Sequence, residues 1–303
     1  MTVVGALDFQ TLSDAIGLGA IYALMAVGIG LVFGVLRLVN FAYGQLAMAG
    51  AYTLAFTSGW PVAGSVAACF GVVIALSLLM DRAVFRPLRG QSPAVMLVTT
   101  FAVAFLLQSI ALIVDLRDDQ LGEVAASVAP LNQAISVGGV EIRKVTIVAV
   151  LVAVVSLALL ALLLTRTTIG LHTRAAASDF RTARLLGVRA NRVIAFAVLL
   201  SGVLAAMVAV LLTVQFPLVS PDFALRDTIV VLVGVVVGGI DRLWTATLGG
   251  FTIGFVSGVI NGVLPTDKTV YLPSAVFALV ILVLLLRPAG LFAWGRRAAV
   301  ERV

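Results

Sequence analysis

Nine apolar runs fill most of this 303-residue chain, at roughly 12–36, 38–58, 61–80, 94–115, 144–165, 193–217, 226–240, 245–264 and 270–286. Most match the ~20-residue helix that crosses a hydrocarbon core of about 30 Å. Hydrophobic residues make up 62% of the sequence and charged residues only 11%, against roughly 25% charged in soluble domains. The chain must therefore meet hydrocarbon over most of its outside. The runs are rich in Leu, Val, Ala and Gly and lack the two-residue alternation of membrane-barrel strands. Helices satisfy their own backbone groups in lipid. The expected fold is all-α, a polytopic membrane protein with about 8–9 membrane segments, some broken by glycine. All of it, 1–303, reads as one transmembrane domain.

The charges sort by side. Segment 166–192 carries Arg166, Arg174, Arg181, Arg184, Arg189, Arg192 and His172 against one acid, Asp179. Placing it in the cytoplasm also puts Arg37, Arg82, Arg86, Arg89, Arg242, Arg287, Arg296, Arg297 and Arg302 inside. Of the 20 basic residues, only Arg117, Arg143, Lys144, Arg226 and Lys268 then fall outside. The 14 acids divide the other way, with only Asp81, Asp179, Asp241 and Glu301 inside. This is the positive-inside pattern of a plasma-membrane protein, with the N-terminus outside and the C-terminus inside. The high pI needs no nucleic acid to explain it. Residues 1–14 hold two acids and no basic residue, so no cleaved leader is expected.

Runs 226–240 and 245–264 are parted only by Asp241, Arg242, Leu243 and Trp244, and are bounded by Gly238-Gly239 and Gly249-Gly250. Two full spans and a re-entrant pair of half-helices both preserve the parity of the rest. In the second case Asp241 and Arg242 lie near mid-membrane. Segment 116–143 is the longest polar stretch, an external loop or part of a docking surface. Gly250, Gly254, Gly258 and Gly262 recur every four residues, a helix-packing stripe that admits a close neighbour.

Catalytic motifs are missing. The nearest approach to a nucleotide-binding loop, from Gly262 to Lys268-Thr269, lacks the glycine before the lysine and has the wrong spacing. One histidine and one cysteine, Cys69, provide no metal site or His/Cys-based catalytic group. No enzyme activity and no cofactor are expected. The runs hold Asn40, Gln45, Gln108, Gln215 and Asn261 but no clear embedded acid, with Asp241 the one exception. Asn40, Gln45, Gln108 and Gln215, with Tyr43 beside them, either line a path or bond between helices. The chain is thus a passive pore, an ion-coupled carrier using Asp241, or a part that draws power from a partner.

Read as one helix, 174–187 places Ala176, Phe180, Ala183 and Gly187 on one face, and Arg174, Ser178 and Arg181 opposite. Arg184 falls between them, and Leu185 interrupts the polar face. Gly170 precedes this helix and Gly187 can end it. Such a helix can lie on anionic lipid or seat in a cleft of a cytoplasmic protein. Its small apolar residues suit the second use better.

The stretch Arg174-Ala-Ala-Ala-Ser-Asp179-Phe-Arg-Thr-Ala183-Arg-Leu-Leu-Gly187 resembles the cytoplasmic coupling segment of permease subunits of branched-chain amino acid ABC importers. Leu38-Val-Asn40-Phe41-Ala42-Tyr43-Gly44, Arg86-Pro87-Leu88-Arg89 and Leu286-Arg287-Pro288-Ala-Gly290-Leu291-Phe292 match in family order. The resemblance covers nearly the whole chain and is nearest to the smaller, H-type permease. It implies alternating access driven by two ABC ATPase subunits. It also implies a second permease, forming a heterodimer with this chain, and an extracytoplasmic solute-binding protein. Arg174, Asp179, Ala183 and Gly187 become the coupling positions; charge adds Arg181, Arg184 and Arg189. Two departures bear on the path. Tyr43 stands where the family usually has histidine, and Asp241 to Trp244 replace a turn of small residues.

Overall fold

The computed structural model describes residues 9–36, 39–88, 91–117, 123–124, 128, 132–137, 140–178, 180–185, 188, 190–239, 242–265, 268 and 271–286. Each apolar run contains one helix. In order these are α1 (Phe9–Leu36), α2 (Tyr43–Phe56), α3 (Val62–Met80), α4 (Pro93–Arg117), α5 (Lys144–Arg166), α8 (Ala190–Gln215), α9 (Leu225–Gly238), α10 (Leu243–Val263) and α11 (Leu272–Leu286). Between α5 and α8 lie two shorter helices, α6 (Thr168–Ser178) and α7 (Phe180–Leu185). A π-helical turn, Asp81–Phe85, extends α3. Six helices are long and apolar enough to cross a membrane by length and composition, and Leu272–Val283 is a shorter apolar helix.

The helices divide into a buried centre and an outer ring. α1 is apolar on all sides and is buried almost without break from Gly19 to Val32. That is the pattern of a helix enclosed by others. α8, α5 and α9 pack against it, and α10 makes its most extensive pairing. α4 and α5 instead turn large apolar side chains outward, including Val98, Phe105, Leu151 and Leu159. Exposed surface of this kind suits hydrocarbon.

The glycine stripe of α10 faces α1 of the same chain. A Cβ at Gly254 would lie 2.8 Å from both Gly19 Cα and the Leu18 carbonyl oxygen. Gly250, Gly258 and Gly262 are pressed in turn against Ala26, Ala15 and Thr11. At the α9–α10 hairpin the backbones approach just as closely: a Cβ at Gly238 would stand 2.9 Å from Gly249 Cα. Gly239 turns the chain there with φ of 104°, a left-handed conformation that favours glycine. Leu243, at the start of α10, touches Gly30. Gly30 lies six residues before the end of α1, about 9 Å along it. The start of α10 is therefore nearer that end of α1 than its middle; Asp241 lies outside the described residues.

Run 38–58 differs from a continuous span. Its helix has only 14 residues, about 21 Å. The chain before it is not helical, because the Asn40 side-chain oxygen accepts the Ala42 N–H at 3.1 Å and holds a turn. The Tyr43 ring lies against Gly28, eight residues or about 12 Å short of the end of α1. α2 thus begins inside the bundle.

Segment 116–143 carries strands as well as loop. β2 (Ala134–Val137) and β3 (Val140–Arg143) form an antiparallel hairpin, while β1 (Glu123–Val124) pairs with β4 (Leu218–Val219). These ties hold the polar segment over the end of α8.

Candidate functional site: a polar seam and a coupling segment

The five polar residues singled out as path candidates do not share one site. Asn40 is buried and forms the turn before α2. Tyr43 is fully buried and points at α1; its hydroxyl has no hydrogen-bond partner among the described residues. Gln45 is 0% exposed, and neither its amide nitrogen nor its amide oxygen is partnered there. Gln108 is partly exposed on α4. Gln215, at the end of α8, lines a separate recess with Asp14, Arg143 and Thr146, beside an Asp14–Arg143 ion pair of 3.9 Å.

Gln45 lies on α2 and Gln108 on α4, and these two helices run parallel along a seam. At one end Phe41 stacks on Phe101 with centroids 4.0 Å apart. At the other, Tyr52 Oη donates to both carboxylate oxygens of buried Asp115 at 2.9 Å. An unpaired buried polar group costs about 1–3 kcal/mol, and Gln45 retains two such atoms.

A second carboxylate lies within the bundle. Asp227, in the first turn of α9, accepts the Tyr22 hydroxyl of α1 at 2.6 Å. Asp115 and Asp227, which the charge count assigned to external segments, are each held by a tyrosine of another helix. Both sit at the ends of apolar runs, where hydropathy places them in water. Tyrosines 63 and 205 residues away bring them under cover.

The candidate coupling segment contains two helices, α6 and α7, where one was expected over 174–187. α6 starts at Thr168, earlier than expected, and Gly170 lies within its first turn. Thr167 caps it, its hydroxyl accepting the Gly170 N–H at 3.0 Å. A Cβ at Gly170 would collide with the carbonyls of Leu163 and Leu164, so the sharp corner from α5 requires glycine. After α7, the Val188 N–H donates to the Ala183 carbonyl at 3.1 Å, a six-to-one closure of the kind that ends helices.

Ala176 and Ala183 are buried, so the small-residue face turns toward the chain's own helices. Arg174 is exposed. Leu185, which interrupted the polar face, is 84% exposed. Arg181 and Arg184 occupy backbone positions along α7; Asp179, Gly187 and Arg189 lie outside the described residues. Beside α6 a cleft of about 600 Å³ opens toward α3 and α8, with His172 and Arg192 among its lining residues.

Residues 11–286 match the family described as "Branched-chain amino acid transport system / permease component". The chain belongs to this permease family. The permease is 30% identical over 308 residues to the high-affinity branched-chain amino acid transport system permease protein BraD of Pseudomonas aeruginosa, covering 97% of both chains. It is 29% identical to the LivH permease protein of Escherichia coli K12, again covering 97% of both. A chain described as a metal-chelate type ABC transporter, solved in an inward-facing conformation, superposes with a TM-score of 0.54. That match covers 95% of the permease and 91% of the solved chain at 17% identity, and shows a shared fold. The reading as a multi-pass ABC permease subunit is borne out.

Sequence reasoning missed Asp115, Asp227 and the exposed Leu185. The available signal for Leu185 was the very irregularity that spoiled the polar face of its helix.

Proposed function

We propose that this permease moves branched-chain amino acids, or a closely related small solute, into the cytoplasm by alternating access. The observation that carries the reading is the 97% coverage by relatives named as branched-chain amino acid permeases. Two ABC ATPase subunits supply the power, a second permease completes the membrane unit, and an extracytoplasmic binding protein delivers the solute. The N-terminus is outside and α6–α7 lies in the cytoplasm, as the arginine distribution favours. α2 and α9, each of 14 residues, act as short helices enclosed by longer ones, the arrangement that places polar groups at membrane depth.

The ATPases dock on the outward side of α6–α7. Arg174 offers a charged contact and Leu185 an apolar one that fits a cleft in the partner. The buried alanines fasten the segment to the permease body, so that motion of the partner reaches α5 through the tight corner at Gly170. The solute path follows α2, with Gln45 and Gln108 along it.

Uptake of labelled leucine, isoleucine and valine into proteoliposomes containing the full complex tests this function. The expected result is saturable uptake that requires ATP and the binding protein, with the three solutes competing. Uptake of a different solute with no competition by any of the three would overturn the substrate assignment.

A further inference from the structure

We infer that the outer half of the α2–α4 seam is the gate through which solute enters, and that Gln45 is the first polar group beneath it. This rests on the orientation and path proposed above.

The register of the two helices supplies the first argument. Gln45 precedes Tyr52 by seven residues, and Gln108 precedes Asp115 by seven. Seven residues are close to two full turns, about 10 Å of helix. Because α2 and α4 run parallel, both amides fall about two turns below the Tyr52–Asp115 bond, on the helix faces that carry Tyr52 and Asp115. The seam therefore has a carboxylate latch at its outer end and a pair of amides beneath.

Packing supplies the second. Met48, Ala51, Tyr52, Ala111 and Val219 form a small apolar cluster of their own, with Leu107 and Phe223 against it, separate from the main core. Low-stability units that open without disturbing a fold are those with few buried apolar contacts. Here a five-residue cluster and the Tyr52–Asp115 hydrogen bonds close α2 against α4. By contrast α1 and α10 meet along a full glycine stripe.

Chemistry supplies the third. The Gln45 amide is fully buried and unpartnered among the described residues. A primary amide offers two N–H donors and one carbonyl acceptor. Those groups match a small solute that carries both an ammonium and a carboxylate. On opening, Asp115 would present an anionic oxygen above the same site, suited to the ammonium as it arrives.

The test is accessibility, which does not depend on transport. A Cys69→Ser, Gln45→Cys permease in the full complex is treated from outside with a membrane-impermeant maleimide. Labelling should be slow, and should accelerate at least fivefold when Tyr52→Phe and Asp115→Asn are added to release the latch. Unchanged labelling, or labelling only from the cytoplasmic side, would overturn the gate. A second arm cross-links Met48→Cys to Ala111→Cys with a short reducible thiol reagent. Uptake should fall at least tenfold and return on reduction; uptake within twofold of the untreated complex would also overturn it. A permease that shows the latch-dependent labelling but no ATP-driven uptake would retain the gate and lose only the proposed function.

Discussion

The α2–α4 seam and the α6–α7 segment break opposite rules of burial. In the seam a polar amide, Gln45, is completely enclosed with its atoms unpartnered among the described residues. On α7 a large apolar side chain, Leu185, stands 84% exposed. The orphaned amide is costly for a folded chain considered alone, and the leucine stands out because its helix lies between arginines rather than within an apolar run. Other buried polar groups divide: the hydroxyls of Ser77, Ser201 and Thr228 each donate to a backbone carbonyl, while those of Tyr43 and Thr213 have no partner among the described residues. We propose that these two places are where the permease meets something other than itself, a solute at the seam and a partner protein at α7.

Substitutions that repair each departure should therefore separate stability from function. The largest effect is expected for Leu185→Asp. It should leave thermal unfolding of the isolated permease unchanged and reduce ATPase co-purification at least tenfold. Retained assembly would break the comparison at the docking end. Next comes Gly170→Val, which drives a branched side chain into the backbone of α5. Strain of this kind costs about 1–3 kcal/mol, and unfolding in detergent should report a loss of that order together with weaker coupling of ATP hydrolysis to uptake. Gln45→Leu removes the orphan amide at similar volume. Its expected signature is a permease more stable by about 1 kcal/mol with slower uptake, and faster uptake would contradict the path assignment. The smallest effect is expected for Arg174→Gln, a two- to threefold drop in ATPase association that fades as salt is raised, because an exposed charge pair contributes little and is screened.

Hydropathy made much of this architecture legible. All nine runs contain helices, because enclosure by lipid or by other helices both demand apolar side chains. The same indifference hid what lies within a run. Val39 to Ala42 are mostly apolar yet not helical, since one Asn40 side chain ties the backbone into a turn. The glycine repeat of α10 was visible as spacing, but its partner α1 was not, because the two helices are far apart in sequence. Asp115 and Asp227 looked like solvated ends, and only distant tyrosines reveal otherwise. In the coupling segment the small-residue face was legible, but its direction was not. Periodicity sorts side chains into faces without saying which face turns inward, and burial assigns Ala176 and Ala183 to the permease itself.

Power for transport is proposed to arrive through the exposed end of α7. A photo-cross-linking residue placed at Leu185 in the assembled complex tests it directly. The account predicts a single dominant adduct to an ABC ATPase subunit, formed in membranes and lost when the ATPases are omitted. An adduct only to lipid, or to another part of the permease, would contradict it.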